Sequence, residues 1–285
     1  MKNDYIKITG LEVYARHGVY QEEKEKGQTF VINAKVYYDM SLPAGSDHLK
    51  EALNYADLCH FIKDVMKERS FDLIEAAAEN LAERILIHFD KTTGLDLELC
   101  KPNAPIGLPF EQVSVNVSRA WHRVFLSIGS NMGDRKMYLN EAAGKFLADE
   151  KVRDMRISEY IETEPYGMTK QDAFLNGAIE LWTIYSPRQL LDLCHRIEEE
   201  AQRVRTIHWG PRTLDVDILF YDDMIYDSET LIIPHVDIEN RDFVLKPMNE
   251  LAPGFVHPLY RKTMQRMLQE LAARNEENKK IHEEN

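Results

Sequence analysis

The chain has 285 residues, 44% of them hydrophobic and 9% aromatic, which is enough for real cores and too apolar for a disordered chain. Its net charge of −13 divides as −5 over residues 1–121 (14 basic, 19 acidic) and −8 over 122–285 (21 basic, 29 acidic). Neither half is a basic module, so nucleic-acid binding is disfavoured and any polyanion must be met by local cations. Cys59, Cys100 and Cys194 lie far apart without a C-x-x-C, which indicates neither a disulfide framework nor a zinc site. The start, Met1-Lys2-Asn3-Asp4-Tyr5-Ile6, lacks a signal peptide's apolar core, and no apolar run reaches the ~18 residues of a membrane helix. A cytoplasmic protein without membrane partners is expected.

Residues 4–14 alternate as a strand, with Gly10 a bulge. A polar loop follows, carrying His17-Gly18 and the acidic cluster Glu22, Glu23 and Glu25, and strand character resumes over 28–38. Helical spacing covers 49–69 (Leu53, Ala56, Phe61, Val65) and 71–89 (Leu73, Ala77, Leu81, Ile85); residues 95–101 and 112–119 alternate as strands. This order predicts a compact α+β unit over 1–121, whose small sheet leaves long edges unless neighbours pair with them.

Two positions in this unit suggest chemistry. Glu75 sits in the first turn of the second helix, where the helix dipole favours a carboxylate. Lys101 ends the strand Leu95-Asp96-Leu97-Glu98-Leu99-Cys100-Lys101 and by parity shares the inner face with Leu95, Leu97 and Leu99. A lysine at the mouth of an apolar surface can act as an acid/base. A dipole-stabilising glutamate and a snorkelling lysine would fit the same positions. His48, His60 and His88 are scattered, so no metal-dependent chemistry is indicated here.

The boundary at Trp121-His122 rests on a change of pattern rather than on linker composition. A strand over 123–129 leads into Gly129-Ser130-Asn131-Met132-Gly133-Asp134, with Asp134 the N-cap of a helix to Leu147. Residues 157–161 and 174–182 read as strands, and Ser186-Pro187 opens a helix over 188–203. Trp209-Gly210-Pro211-Arg212 marks a loop before a buried strand over 213–221. Asp215 and Asp217 leave one face of that strand, while Leu214, Val216 and Ile218 take the other. Paired carboxylates repel unless a cation sits between them, and a hard-oxygen pair suits Mg²⁺ completed by water and phosphates. Arg203, Arg205 and Arg212 lie close by in sequence; the alternative is a strand whose carboxylates face water. No P-loop and no G-x-G-x-x-G exist, so phosphate handling must rely on Mg²⁺ and arginines. Residues 234–241 form a polar loop ahead of Phe243, and the polar tail 274–285 is expected to fray.

Residues 4–120 resemble dihydroneopterin aldolase. The resemblance rests on Tyr14-Ala15-Arg16-His17-Gly18 with Glu23 and Gly27-Gln28, on Leu53-Asn54-Tyr55-Ala56-Asp57, on Leu73-Ile74-Glu75, and on Cys100-Lys101-Pro102-Asn103-Ala104-Pro105. It implies the tunnelling fold (T-fold), whose subunits form homo-oligomeric rings with sites between neighbours. It also implies Glu75, beside Ile74, on the pterin edge, Lys101 as acid/base, Tyr55 as the second proton-transfer group and Glu23 on the side-chain hydroxyls. The substrate's ring imine accepts the electrons, so this unit needs no cofactor.

Residues 123–270 resemble 6-hydroxymethyl-7,8-dihydropterin pyrophosphokinase. The match covers Leu126 to Asp134, Thr163-Glu164-Pro165-Tyr166-Gly167, Phe174-Leu175-Asn176, Arg196-Ile197-Glu198 with Arg203-Val204-Arg205, Trp209 to Ile218, and Pro234-His235 through Arg241 with Phe243. It implies a ferredoxin-like α+β unit over 122–285 in which Asp215 and Asp217 hold two Mg²⁺ on ATP. Arg203 and Arg212 then stabilise the transferred group, and Glu198, Arg205, Trp209, His235 and Arg241 contact ATP. Phe174 and Phe243 sandwich the pterin, with Asn176, Thr163 and Gly167 around it. Val236 offers neither hydroxyl nor ring. Together the resemblances imply a bifunctional enzyme of folate biosynthesis acting on pterins and ATP. The alternatives are a pyrophosphokinase fused to a pterin epimerase or to a ring-forming scaffold, and a non-enzymatic pterin or nucleotide binder.

Overall fold

The computed structural model describes residues 4–164, 172–201 and 213–283. Its contacts divide into two compact units, Met1–Trp121 and His122–Asn285. No described helix is long and apolar enough to cross a membrane.

The first unit runs β1 (Tyr5–Ala15), α1 (Gln21–Lys26), β2 (Gln28–Tyr38), α2 (Ser41–Ser46), α3 (Tyr55–Glu68), α4 (Ile74–His88), β3 (Thr92–Lys101) and β4 (Val113–Ala120). The strands form one antiparallel sheet in the order β1-β2-β3-β4. Pairing puts Ile32 opposite Leu99, Ala34 opposite Leu97 and Val36 opposite Leu95, all buried on the face covered by α3 and α4. The helices answer with Leu58, Ile62 and Val65 from α3 and Leu81, Ala82 and Ile85 from α4. Each large side chain buried here stabilises the unit by roughly 1.5–3 kcal/mol. The register slips between Ile8 and Leu11, where Gly10 takes φ +71°, as expected of the bulge.

Three local expectations are corrected. The helix read from Leu49 starts at Tyr55, because Asn54 caps it by accepting the Ala56 N–H at 3.0 Å; residues 49–51 make one separate 3₁₀ turn. The next helix starts at Ile74, behind the extended Leu73, rather than at Phe71. The acidic loop contains α1, held by side chains at both ends: Lys26 pairs with Glu22, and the Glu23 carboxylate accepts the Tyr20 N–H.

The second unit runs β5 (His122–Ser130), α5 (Arg135–Leu147), β6 (Val152–Ile157), β7 (Ile161–Thr163), β8 (Phe174–Thr183), α6 (Pro187–Glu200), β9 (Asp215–Tyr221), β10 (Tyr226–Asp227), β11 (Ile232–Ile233), α7 (Asp242–Leu251) and α8 (Met264–Glu283). Its main sheet has the order β6-β8-β5-β9, with β7 also pairing β8. One face carries Val124, Leu126, Ile128, Val216 and Ile218 against Leu139 and Phe146 of α5 and Leu190, Cys194 and Ile197 of α6. The other carries Phe125, Ala178 and Phe220 against Val244 and Met248 of α7 and Met264, Met267 and Leu271 of α8. Asp134 caps α5 through the Met137 N–H at 3.0 Å, and Ser186 with Gln189 forms a capping box at the start of α6.

The strand read over 157–161 is two strands, β6 and β7, on either side of Ser158, whose hydroxyl accepts the Ala178 N–H at 2.9 Å. Residues 274–283, read as a fraying tail, continue α8; Arg274 reaches back to the Glu239 carbonyl at 2.7 Å.

Candidate active sites

In the first unit, the last residue of β3 meets the short helix before β2. Lys101 Nζ lies 2.6 Å from Glu23 Oε1, and both side chains are about nine-tenths buried. The strand period puts Lys101 on the inner face with Leu97 and Leu99, so its stem is covered by the core and only its head finds a polar partner. Glu23 is fixed from several sides. Its carboxylate also accepts from the Tyr20 N–H at 3.1 Å and the Gln28 amide at 3.3 Å. Gly18 leaves room for it: a Cβ there would fall 2.3 Å from that carboxylate. Tyr55, the first residue of α3, is 67% exposed, and Glu75 is exposed in the first turn of α4, with Ile74 half-buried beside it. Among the described residues no hydrogen bond joins Tyr55 or Glu75 to the Glu23–Lys101 pair, so one chain holds a closed ion pair and a separate, open set of polar groups.

In the second unit, cross-strand pairing builds the site in rows. Asp215 lies opposite Gly129, Gly129 opposite Asn176, and Asn176 opposite Ile161; Asp217 lies opposite Ser127. Leu214, Val216 and Ile218 are buried on the other side, which leaves both carboxylates partly exposed toward the face where α7 begins. Asn176 is buried, and its amide donates to Thr163 Oγ1 at 2.7 Å. Gly129 is required beneath it, since a Cβ there would meet Asn176 Oδ1 at 2.6 Å. His235 is anchored by its N–H on the Leu219 carbonyl and by Nδ1 against the Val236 carbonyl at 2.6 Å; its Nε2 stands 4.0 Å from Asp217 Oδ2. Asp237, at φ +65°, turns the chain so that Arg241 follows, tethered at 3.4 Å to the Asp237 carboxylate and 5.9 Å from the Phe243 ring. Phe174 and Phe243 are both half-exposed.

Glu198 behaves differently from an open ligand-binding carboxylate. It is 3% exposed, and its Oε1 accepts the Val216 N–H at 2.9 Å, midway between the two aspartates. Among the described residues, no cluster of three or more His, Cys, Asp or Glu side chains gathers to hold a metal. The donor set at β9 is therefore two hard-oxygen side chains, which fits a cation whose remaining ligands are water and phosphate. Gly167, Arg203, Arg205, Trp209 and Arg212 lie outside the described residues.

Residues 6–118 match the family model of dihydroneopterin aldolase, and residues 125–253 match that of 7,8-dihydro-6-hydroxymethylpterin-pyrophosphokinase (HPPK). A 2-amino-4-hydroxy-6-hydroxymethyldihydropteridine pyrophosphokinase of Aquifex aeolicus is 37% identical over 141 residues, covering 50% of this chain and 87% of that protein. The chain belongs to the HPPK family. A folic acid synthesis protein of Schizosaccharomyces pombe is 31% identical over 285 residues, covering 94% of this chain and 37% of that one. The crystal structure of a putative dihydroneopterin aldolase from Vibrio cholerae is 30% identical, covers 42% of this chain and 99% of its own, and has a TM-score of 0.39. The chain spans 36–44% of the length of several curated relatives that it matches.

Within this HPPK-family chain, the geometry gives contacts to residues that the motifs contained without an assigned role. Gln28 holds Glu23, Gly18 makes room for the Glu23 carboxylate, and Gly129 lies under Asn176; both glycine motifs were visible, but the close approach that requires each glycine was not. His17 is buried beside the first site. Burial holds its imidazole below the usual histidine range, and the charge of Lys101 acts in the same direction, against the Met66 carbonyl.

Proposed function

We propose that the chain catalyses two successive steps on a pterin. In the first unit, 7,8-dihydroneopterin is cleaved by retro-aldol chemistry to 6-hydroxymethyl-7,8-dihydropterin and glycolaldehyde. In the second, ATP transfers its terminal pyrophosphoryl group to the new hydroxymethyl oxygen, releasing AMP. The observation that carries this reading is the buried Glu23–Lys101 contact in a chain that also presents Asp215 and Asp217 on one strand face.

For the first step, Glu75 accepts adjacent N–H groups of the amino-pyrimidinone edge, a two-point contact that suits a carboxylate. Glu23 takes the side-chain hydroxyls while Lys101 and Tyr55 move protons: one leaves the hydroxyl as the C–C bond breaks, and one returns to the carbon left on the pterin. Electrons from the broken bond move into the ring imine, so no lysine Schiff base is needed. The exposed Tyr55 and Glu75, together with the exposed Tyr14, Tyr20, Leu49 and Leu73, support a site completed by a second copy in a homo-oligomeric ring.

For the second step, Phe174 and Phe243 stack on the pterin, and Asn176, held by Thr163, bonds its edge. Asp215 and Asp217 would hold two Mg²⁺, which neutralise the phosphate charge of ATP. His235 and Arg241 orient the triphosphate, while Arg203, Arg205, Arg212 and Trp209 keep the roles that the motif implies. The burial of Glu198 supports a role behind the aspartates, bracing Val216, in place of direct contact with ATP. Mass spectrometry of products from dihydroneopterin with Mg-ATP tests the whole reading: glycolaldehyde, AMP and a pyrophosphorylated pterin are expected. Formation of neither AMP nor glycolaldehyde would overturn it.

A further inference from the structure

Residues 16–18 contact the Glu23 carboxylate on one side and the segment that leads into α4 on the other. Gly18 leaves the space that the Glu23 carboxylate fills, 2.3 Å from where a Cβ would stand. The same residue donates its N–H to the Phe71 carbonyl at 2.9 Å, while the Phe71 N–H donates to His17 Nδ1 at 3.2 Å. Both polar groups of the Phe71 backbone are thus taken by consecutive residues. The neighbouring Ser70 hydroxyl donates to the Arg16 carbonyl, and Lys24 of α1 pairs with Asp72 at 2.7 Å. Segment 70–72 leads directly into Leu73, Ile74 and Glu75. The His17 ring is 1% exposed and wedged against Phe30 (centroids 5.3 Å apart) and Phe71 (5.7 Å), so it cannot swing away.

Accepting at Nδ1 requires the tautomer with its proton on Nε2. That Nε2 makes no hydrogen bond within geometric limits, although the Met66 carbonyl favours the charged form. Burial and the Lys101 charge keep the ring neutral, which preserves the acceptor.

We infer that His17 is a positioning residue of the first unit: through the Phe71 backbone it holds the approach to α4, and with it Glu75, in register with the Glu23–Lys101 pair. The inference rests on the aldolase reading. It assigns His17 no contact with substrate; its work is to fix the pterin anchor relative to the proton-transfer pair.

The test uses the full chain with His17→Phe, which keeps the ring and removes the acceptor, and His17→Asn, whose amide oxygen can occupy the place of Nδ1. His17→Phe leaves a backbone donor unpaired, so the KM for dihydroneopterin should rise about tenfold. Its kcat should change less than its KM, because the anchor acts on ground and transition states alike. His17→Asn should return KM to within about threefold of the parent. A general loss of folding would lower the active fraction and leave KM alone; AMP formation in the second unit checks that the chain is intact. Hydrogen exchange at the Phe71 amide should be faster in His17→Phe and protected in His17→Asn. An unchanged KM in His17→Phe overturns the inference, as does equal impairment of the two variants. Should His17→Phe not fold, the Phe71 amide in His17→Asn decides: retained protection supports the clamp, and lost protection overturns it. Absence of glycolaldehyde from the parent would overturn the aldolase reading instead, and the clamp would then stand or fall on the exchange measurement.

Discussion

Replacing Lys101 with methionine keeps most of the stem's volume and leaves the Glu23 carboxylate, 10% exposed, without its cation. At 2.6 Å and an effective dielectric of ~20, the lost attraction is about 6 kcal/mol before desolvation is counted. Removing one partner of a buried pair costs about 3–5 kcal/mol in practice, because the other charge stays behind. Here the Tyr20 N–H and the Gln28 amide remain on the carboxylate, which points to the lower end, about 3 kcal/mol. Adding Glu23→Gln should bring stability back to within about 1 kcal/mol of the parent, since no charge is then stranded. Hydrogen exchange of the slowest amides in β2 and β3 reads the opening free energy of this unit within the intact chain. In parallel, Lys101→Met should release no glycolaldehyde yet still form AMP from supplied hydroxymethyl-dihydropterin. A single-variant loss under about 0.5 kcal/mol would refute the buried pair, and penalties that simply add in the double variant would refute its coupling.

Asp215→Ala and Asp217→Ala should each abolish AMP formation while glycolaldehyde release continues; normal AMP output from both at saturating Mg²⁺ would refute the metal assignment. Glu198→Leu should raise the Mg²⁺ concentration needed for half-maximal AMP formation, because the Val216 N–H between the aspartates loses its acceptor. An unchanged Mg²⁺ titration would place Glu198 outside the metal site. His257 is buried and accepts at Nδ1 from the Leu259 and Tyr260 N–H groups; burial pushes it from 6.5 to about 4, with Glu239 opposing. Its folded value is depressed, so the stability it contributes is complete above pH 6.5 and is lost as the pH falls toward about 4. The loss is at most roughly 3 kcal/mol. Thermal denaturation of His257→Asn, which keeps an acceptor and cannot titrate, should show a flatter acid limb than the parent.

The parts that were legible in the sequence are those fixed by a short period. Lys101 follows Leu95, Leu97 and Leu99 at spacing two, so its inward face could be read directly, as could the shared face of Asp215 and Asp217. The 28–38 strand and the Ser186-Pro187 helix start were equally local. What stayed hidden depends on chain segments distant in sequence. The resemblance assigned Glu23 and Lys101 to one site, but no local pattern in either stretch shows their direct contact, and α1 has no apolar stripe to mark it. Pro247 interrupts the pattern of α7, and α8 shows its apolar side at Met264, Met267, Leu268 and Leu271 before turning polar. The need for glycine at 129 comes from Asn176 on the next strand, which no local window contains.

Under the proposed aldolase chemistry, the closed Glu23–Lys101 contact has a bearing on which molecules the site accepts. Both charges have already left water for one another, so an arriving diol meets no hydration shell to strip away. It exchanges hydroxyls for a partner already in place, and the dipoles that act on the reaction are set before it enters. A flat ring without hydroxyls has nothing to offer in that exchange and leaves the contact clasped. Under the proposed chemistry, the resting pair thus works as a latch that only a polyol side chain can lift, and the product, once its glycol fragment has gone, lets it fall shut.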